Sequence, residues 1–236
     1  MKIRKIVATA LLTLPLLASV SLWAATPEES FRSNFPGIPF NSIRPAPVEG
    51  LYEVVSGSRI LYYVPGPEYV IMGEIMTRDR RNLTEERSME ITGQKLKGLP
   101  LDKALKIGSG PHTVIEITDP DCTYCRKASA FLSARNDVTR YIFLYPLPMH
   151  PKAEPKVRYI FCAKDSGAAY EEAMTGKLDD MKFETCQDGA AEERLKAHRE
   201  ITAGLDVSGT PLFLIDGQVV GGANIPLMEK ILGAKP

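Results

Sequence analysis

The alternation of apolar and polar positions predicts a first part made of short strands, followed by a helix. Apolar, β-branched and aromatic runs at residues 51–55, 60–64 and 69–72 are separated by Ser-Gly-Ser and Pro-Gly-Pro breaks, which is typical of short antiparallel strands. From residue 82 to residue 97 the apolar positions take a helical period. We therefore expect a small antiparallel meander joined to the rest of the chain by a helix.

The second part of the chain alternates strands and helices around one buried strand. Residues 113–118 form an apolar, β-branched run that an Asp-Pro turn ends, and residues 127–134 then have helical composition. The other predicted elements, in chain order, are a strand at 141–146, helices at 153–164 and 168–175, a hairpin of strands at 212–215 and 218–220, and a closing helix at 228–232. This pattern favours an α/β arrangement.

The beginning of the chain has the pattern of a secretory signal peptide. A short basic stretch is followed by an apolar core at residues 6–20 and then by small residues. A retained membrane anchor is the alternative, but the core is shorter than the roughly 20 residues that a spanning helix needs. We expect residues 1–25 to be removed and residues 26–47, which are rich in proline, to be irregular, with one short helix near 27–33.

Charge and length then limit the classes of function. The 236 residues contain 29 basic and 29 acidic side chains, and the leader holds three of the basic ones, so the mature chain has a net charge of −3. Such a charge does not suit a nucleic-acid-binding protein. The length fits one domain with a smaller one attached. The expected division is a signal peptide at 1–25, an N-terminal domain at 26–81, a linker helix at 82–100 and a catalytic domain at 101–236.

The candidate chemistry lies in Cys122-Thr123-Tyr124-Cys125, directly after the buried strand. If a helix begins at Cys122, its unpaired N–H groups and the positive end of its dipole stabilise a thiolate there. Cys122 is then the attacking nucleophile. Cys125, one helical turn deeper, is the resolving thiol that attacks the mixed disulfide formed with a substrate. Arg126 and Lys127 would add positive charge nearby.

A zinc site is the alternative for a Cys-X-X-Cys pair. The remaining cysteines, Cys162 and Cys186, and the scattered His112, His150 and His198 do not fall at zinc spacings. We expect no metal and no cofactor, and we expect the three histidines at the surface. In an oxidising compartment, Cys162 and Cys186 are predicted to form a structural disulfide, two free thiols being the alternative.

A Gly-Thr-Pro sequence ending at Pro211 precedes the predicted hairpin, and proline there favours a turn and is compatible with a cis bond. A Cys-X-X-Cys between strand and helix, together with this distant Gly-Thr-Pro, resembles the thioredoxin superfamily. Residues 41–51, the Cys-Thr-Tyr-Cys site, residues 161–165 and residues 207–211 resemble the bacterial periplasmic disulfide isomerases of the DsbC/DsbG type. The resemblance extends from about residue 41 to the C-terminus.

The resemblance implies an α+β fold in which a small N-terminal antiparallel β domain dimerises and a linker helix leads to a thioredoxin-like domain with a helical insertion. Composition alone left open whether the meander dimerises or packs on its own catalytic domain. By resemblance, Cys122 and Cys125 are catalytic, Thr210 and Pro211 form a substrate-facing loop, and Cys162 and Cys186 form the structural bridge. The implied partners are a second copy of the chain, mis-oxidised exported proteins and a membrane thiol reductant.

Two features depart from the family pattern. The dipeptide between the cysteines is Thr123-Tyr124, where the isomerases have Gly-Tyr or Pro-Tyr, and this dipeptide tunes redox behaviour. Glu116 lies six residues before Cys122, as does a buried acid in thioredoxins and periplasmic oxidases, and it is a candidate proton relay for Cys125. The alternative is an acid that faces solvent from the strand.

The expected function is that of a periplasmic disulfide isomerase with a chaperone-like substrate cleft. Two alternatives remain: a reductase of oxidised, sulfenylated single cysteines, and a periplasmic chaperone that acts without redox chemistry.

Overall fold

The computed structural model describes residues 25–186, 189–205, 207 and 209–234. The predicted signal peptide therefore lies outside the described residues, apart from Ala25. Among the helices of the described ranges, none has the length and apolarity needed to cross a membrane.

The first part of the structure is a four-stranded antiparallel sheet covered by one helix. The helix is α1 (Pro27–Asn34), and the strands, which pair in chain order, are β1 (Ser42–Pro45), β2 (Tyr52–Ser56), β3 (Arg59–Val64) and β4 (Tyr69–Ile71). The predicted helix and the three predicted strands are present. The prediction that the whole of residues 26–47 outside that helix is irregular was wrong, because β1 is an edge strand, where a terminal proline costs no ladder hydrogen bond.

The core of this N-terminal sheet is small and aromatic. Phe31, Val54 and Tyr63 are completely buried, and the ring of Phe31 lies 5.2 Å from that of Tyr63 and 5.3 Å from that of Phe40, both edge-on. Edge-on aromatic contacts of this kind stabilise a core beyond the area they bury. Helix α1 is thus held to the sheet by a few large rings.

The second part of the structure is a five-stranded mixed sheet with helices on both faces, as the predicted fold class requires. Its strand order is β5-β7-β6-β8-β9, and only β6 and β7 run parallel. The strands are β5 (Leu105–Ile107), β6 (His112–Thr118), β7 (Val138–Leu144), β8 (Leu212–Ile215) and β9 (Gln218–Gly221); the helices are α3 (Thr123–Ser133), α4 (Ala153–Cys162), α5 (Ser166–Met174), α6 (Gly189–Ala203) and α7 (Ile225–Leu232).

Besides β1, strand β5 and helix α6 are elements that the sequence pattern did not predict. β5 is only three residues long, and Lys106 interrupts its apolar character. The buried face of α6 has the expected helical spacing, but Leu195 is its one large apolar residue; the others are Ala191, His198 and Thr202. Such a stripe is too weakly apolar to stand out in the sequence.

Side chains of β6 alternate between the two faces of the sheet and so separate the chemistry from the supporting core. Ile115 and Ile117 point to one face, where they pack with residues such as Leu96 and Leu205. Glu116 and Thr118 share the other face with α3. The cysteine pair at the start of α3 therefore lies above the Glu116 and Thr118 side of the strand.

Between the two sheets lies the predicted linking helix, which is α2 (Leu83–Lys97). Its Arg87 donates to the buried Glu53 of the first sheet at 3.1 Å, and its Leu96 is completely buried in the core of the second. A Cβ added at Gly93 would lie 3.2 Å from a methyl group of Val219. Glycine at this position lets the helix approach the second sheet closely.

Candidate active site

The two catalytic candidates lie where β6 leads into α3. Cys122 is the N-cap residue of α3, with extended backbone angles of φ −78° and ψ 119°, and its carbonyl oxygen accepts the N–H of Arg126 at 3.0 Å. Both cysteines are free thiols. Cys122 is 7% exposed whereas Cys125 is completely buried, so Cys122 is the more accessible of the two cysteines.

The loop that precedes strand β8 lies against Cys122. The peptide bond between Thr210 and Pro211 is cis, and the thiol of Cys122 donates to the carbonyl oxygen of Thr210 at 3.5 Å. Strand β8, which follows this loop, pairs with β6, so that Ile117 stands opposite Leu212. The sheet thus brings a loop 88 residues away in sequence against the first cysteine.

Cys125 lies in a buried pocket of hydrogen-bond donors. The backbone N–H of Asp119 donates to its sulfur at 3.4 Å, and the hydroxyl groups of Thr118 and Thr210 face the same sulfur. Burial raises the pKa of the Cys125 thiol to about 12, although these three donors oppose the shift. Burial therefore favours the protonated form of Cys125.

Asp119 is a residue of this site that the sequence analysis missed. Its completely buried carboxylate accepts hydrogen bonds from the backbone N–H of Asp121 at 2.7 Å, from that of Leu147 at 2.7 Å and from Nδ1 of His150 at 2.9 Å. These bonds hold the chain on both sides of the cysteine pair. The available sequence feature was an acid directly after a buried strand, at a turn.

Arg126, expected to add positive charge beside Cys122, is instead tied into an ion cluster. Its guanidinium group makes two bonds of 2.7 Å to Asp179 and one of 2.7 Å to the carbonyl oxygen of Pro120. Lys156, almost completely buried, bonds to Asp121 and Asp179. The hydrogen bonds from Arg126 hold the pKa of Asp179 well below its usual range. The cluster fastens the helical insertion to the active-site turn.

Glu116 is completely buried and therefore does not face solvent as the alternative for this residue required. Its carboxylate accepts from Arg140 at 2.9 Å and from the hydroxyl of Tyr170 at 2.9 Å. Burial alone would lower the pKa of Arg140, but the charge of Glu116 and the nearby Tyr170 raise it above the ordinary value. A role of Glu116 as proton relay stays a prediction, and its carboxylate is engaged by an arginine.

The other two cysteines belong to the helical insertion. Cys162 and Cys186 form a disulfide with a Cα–Cα distance of 5.6 Å. In the described part of the chain, no three His, Cys, Asp or Glu side chains are grouped so that they could hold a metal ion.

The prediction that all three histidines lie at the surface was wrong for His198, which is completely buried. The sequence around it is polar because α6 exposes its other faces to solvent. His198 itself packs 4.9 Å from the ring of Phe161 and 5.5 Å from that of Phe143, measured between centroids.

Comparison with known protein families divides the chain as the structure does. Residues 21–85 match the N-terminal domain of disulfide bond isomerase proteins, and residues 99–234 match the thioredoxin-like domain. The probable thiol:disulfide interchange protein DsbC of Bordetella parapertussis is 32% identical over 200 residues, which cover 83% of this chain and 69% of that protein. DsbC of Escherichia coli K12 is 27% identical over 222 residues, 89% of each chain.

Solved structures with a similar chain path include a disulfide interchange protein from Neisseria gonorrhoeae, with 27% identity and a TM-score of 0.48 over 57% of this chain and 96% of that one. The two domain matches and the Bordetella relative carry the assignment. The chain belongs to the DsbC family of thiol:disulfide interchange proteins, with an N-terminal disulfide-isomerase domain followed by a thioredoxin-like domain.

Proposed function

We propose that this chain rearranges incorrect disulfides in exported proteins, with Cys122 as the nucleophile and Cys125 as the resolving thiol. The observation that carries the proposal is the position of Cys122, at the start of α3 and 3.5 Å from the carbonyl oxygen of Thr210. Disulfide isomerase activity is the activity of the family to which the chain belongs. Cys122 lies beside the unpaired N–H groups at the start of α3.

The chemistry begins when the Cys122 thiolate attacks one sulfur of a substrate disulfide. A mixed disulfide forms, and the other substrate sulfur leaves as a thiolate. In isomerisation, a substrate thiolate later displaces Cys122, which returns to its starting state with no net oxidation. If that step stalls, Cys125 displaces the substrate, the cysteine pair becomes oxidised, and a thiol reductant must restore it; we propose that a membrane donor does so.

Thr210 and Pro211 are proposed to contact the substrate chain. A cavity of about 370 Å³ adjoins their loop, and Ser58 of the turn between β2 and β3 and Thr92 of α2 also line it. Cys122 does not line this cavity, so a substrate held by Cys122 would reach both parts of the molecule only by extending across the loop of Thr210 and Pro211. This supports the proposal that the N-terminal part (26–81) and the helix (82–100) contribute to substrate binding and do more than carry the catalytic domain (101–236).

The match of residues 21–85 to the family's N-terminal domain and the exposed edge of the first sheet support a homodimer. Among the strands that the structure describes, β4 pairs with β3 alone, and at this edge Tyr69, Ile71 and Met72 are 64%, 47% and 83% exposed. An exposed apolar strand edge favours pairing with another chain. The signal-peptide pattern of residues 1–25 supports a periplasmic location.

The test is reactivation of an enzyme whose disulfides have been scrambled, by the wild-type chain and by single variants. Cys122→Ala should give no reactivation, because no mixed disulfide can form. Cys125→Ala should accumulate a covalent complex with the substrate, visible on a non-reducing gel. If the wild-type chain fails to reactivate the substrate but reduces a sulfenylated protein, the reductase alternative replaces the isomerase. If Cys122→Ala suppresses aggregation as well as wild type and cells carrying it have no redox phenotype, the chain is chiefly a chaperone.

A further inference from the structure

The resolving step requires negative charge on Cys125, and the burial of this residue disfavours that charge. Resting on the proposed function, the step forms a bond between the sulfurs of Cys125 and Cys122 and breaks the bond between Cys122 and the substrate sulfur. The substrate sulfur leaves with the electron pair and takes up a proton, while the thiol of Cys125 gives one up. Cys125 must therefore carry negative charge in a completely buried position.

Glu116, the candidate proton relay predicted from the sequence, forms its hydrogen bonds with other residues. The Glu116 carboxylate bonds to Arg140 and to Tyr170. Three neutral donors lower the pKa of the Cys125 thiol: the N–H of Asp119 at 3.4 Å and the hydroxyls of Thr118 and Thr210. The neighbouring Cys122 raises it. Neutral donors can stabilise a thiolate by hydrogen bonding without an ionised partner.

The two hydroxyl groups are unusual within the protein. Both are buried, and neither has a conventional hydrogen-bond partner in the part of the chain that the structure describes. Buried hydroxyl groups are almost always hydrogen-bonded, so an exception calls for a functional or structural reason. Both hydroxyls lower the pKa of the Cys125 thiol, whose sulfur is a weak acceptor as a thiol and a much stronger one as a thiolate.

We propose that Thr118 is a catalytic hydrogen-bond donor for the resolving step. Together with the hydroxyl of Thr210 and the N–H of Asp119, its hydroxyl stabilises by hydrogen bonding the negative charge that develops on the Cys125 sulfur. Its place follows from the fold. Thr118 is the last residue of β6, on the face that α3 covers, so its hydroxyl is fixed beside the first turn of that helix. The donors are in position before the charge appears, which is how preorganised sites lower a barrier.

The experiment isolates the resolving step from substrate recognition. Oxidised glutathione is used to form a mixed disulfide at Cys122 at low pH, and the release of glutathione is then followed after a jump to higher pH. Thr118→Val keeps the shape of the side chain and removes the donor, whereas Thr118→Ser keeps the donor. Thr139→Val is the matched control, because Thr139 is a buried threonine of β7 whose hydroxyl donates to Gly110 at 2.7 Å, away from the cysteines.

Thr118→Val should release glutathione about tenfold more slowly at neutral pH, the effect of raising the pKa of Cys125 by about one unit, and its rate profile should move to higher pH. Thr118→Ser should stay within about twofold of wild type, because it retains the charge-assisted hydrogen bond. Thr139→Val should match wild type. A wild-type rate and pH profile for Thr118→Val would overturn the inference, as would equal slowing by Thr118→Ser, since that result points to packing.

If Thr118→Val does not fold, Thr210→Val takes its place, because its hydroxyl faces the same sulfur and release from a preformed mixed disulfide requires no docking on its loop. Slowed release then supports the donor set, and unchanged release overturns it. A wild-type chain that forms no mixed disulfide at Cys122 overturns the proposed function and this inference together. If the mixed disulfide forms normally but glutathione is released at the same rate with and without the threonine donor, the inference alone fails.

Discussion

Glu116 and Arg140 form a buried ion pair on the same face of the sheet as the cysteine pair. Glu116 is completely buried and Arg140 is 2% exposed. The guanidinium group also donates to the hydroxyls of Ser129 and Tyr170 and to Glu171, a second and partly exposed carboxylate at 3.2 Å. Such a pair adds little net stability, but removing one partner leaves the other charge unpaired in the interior. The arrangement favours a structural role for Glu116 over that of a proton relay.

We expect Glu116→Gln to lower the free energy of unfolding by about 2 kcal/mol, because Arg140 then loses its completely buried counter-ion and keeps only Glu171, whose side chain is 35% exposed. Chemical denaturation measures this loss, and the double variant Glu116→Gln with Arg140→Met should recover most of it. The rate at which Cys125 resolves a mixed disulfide should not change in Glu116→Gln. Slower resolution in a folded Glu116→Gln protein would instead establish Glu116 as the proton relay.

At the scale of the elements, His198 joins three of them as a neutral side chain. Its Nδ1 accepts the N–H of Leu144 in β7 at 2.9 Å, and its Nε2 donates to the carbonyl oxygen of Lys103 at 2.9 Å, so α6 is fastened to the sheet and to the short 3-10 helix at Leu101–Lys103. Burial lowers its pKa from 6.5 to about 4, and the charge of Arg194 acts in the same direction. Protonation would remove the acceptor that Leu144 needs.

The pH dependence follows from the direction of this shift. Because the pKa of His198 is lower in the folded chain than in the unfolded chain, the unfolded chain binds the proton first as the pH falls below 6.5. Stability should decrease between pH 6.5 and pH 4 by about 3 kcal/mol from this group. His198→Gln, measured by denaturation across the same range, should lose that part of the dependence. Identical pH slopes for the two proteins would contradict the assignment.

At the scale of the whole molecule, the exposed β4 edge is where we expect the second copy to bind. Ile71→Lys, which places a charge on this edge, should convert the dimer to a monomer in sedimentation experiments. It should reduce isomerase activity at least about tenfold while Cys122 still reduces simple disulfides, because the cysteine site is intact. Met181→Lys, at an exposed residue of the catalytic domain, is the control and should remain dimeric. A dimeric Ile71→Lys protein would show that the interface lies elsewhere.

Most of the elements could be predicted because their periodicity is local. The run at 113–118, the turn after it and the Cys-Thr-Tyr-Cys sequence are adjacent in the chain, so a strand, a helix start and a reactive pair follow from nearest neighbours. Strand β5 and helix α6 were missed because their burial comes from packing partners and their own composition is only weakly apolar. His198 was misjudged for the same reason, since a polar segment can bury one face.

The sequence by itself determined the fold class, the family resemblance and the residue types of the dithiol chemistry, because these depend on local pattern and on motifs. Tertiary structure alone decided which groups surround each sulfur. The antiparallel pairing of β6 with β8 brings Thr210 beside Cys122, and the pairing of β6 with β7 places Arg140 against Glu116. Such contacts join residues far apart in sequence, and only the register of the sheet and the packing of helices on its faces bring them together.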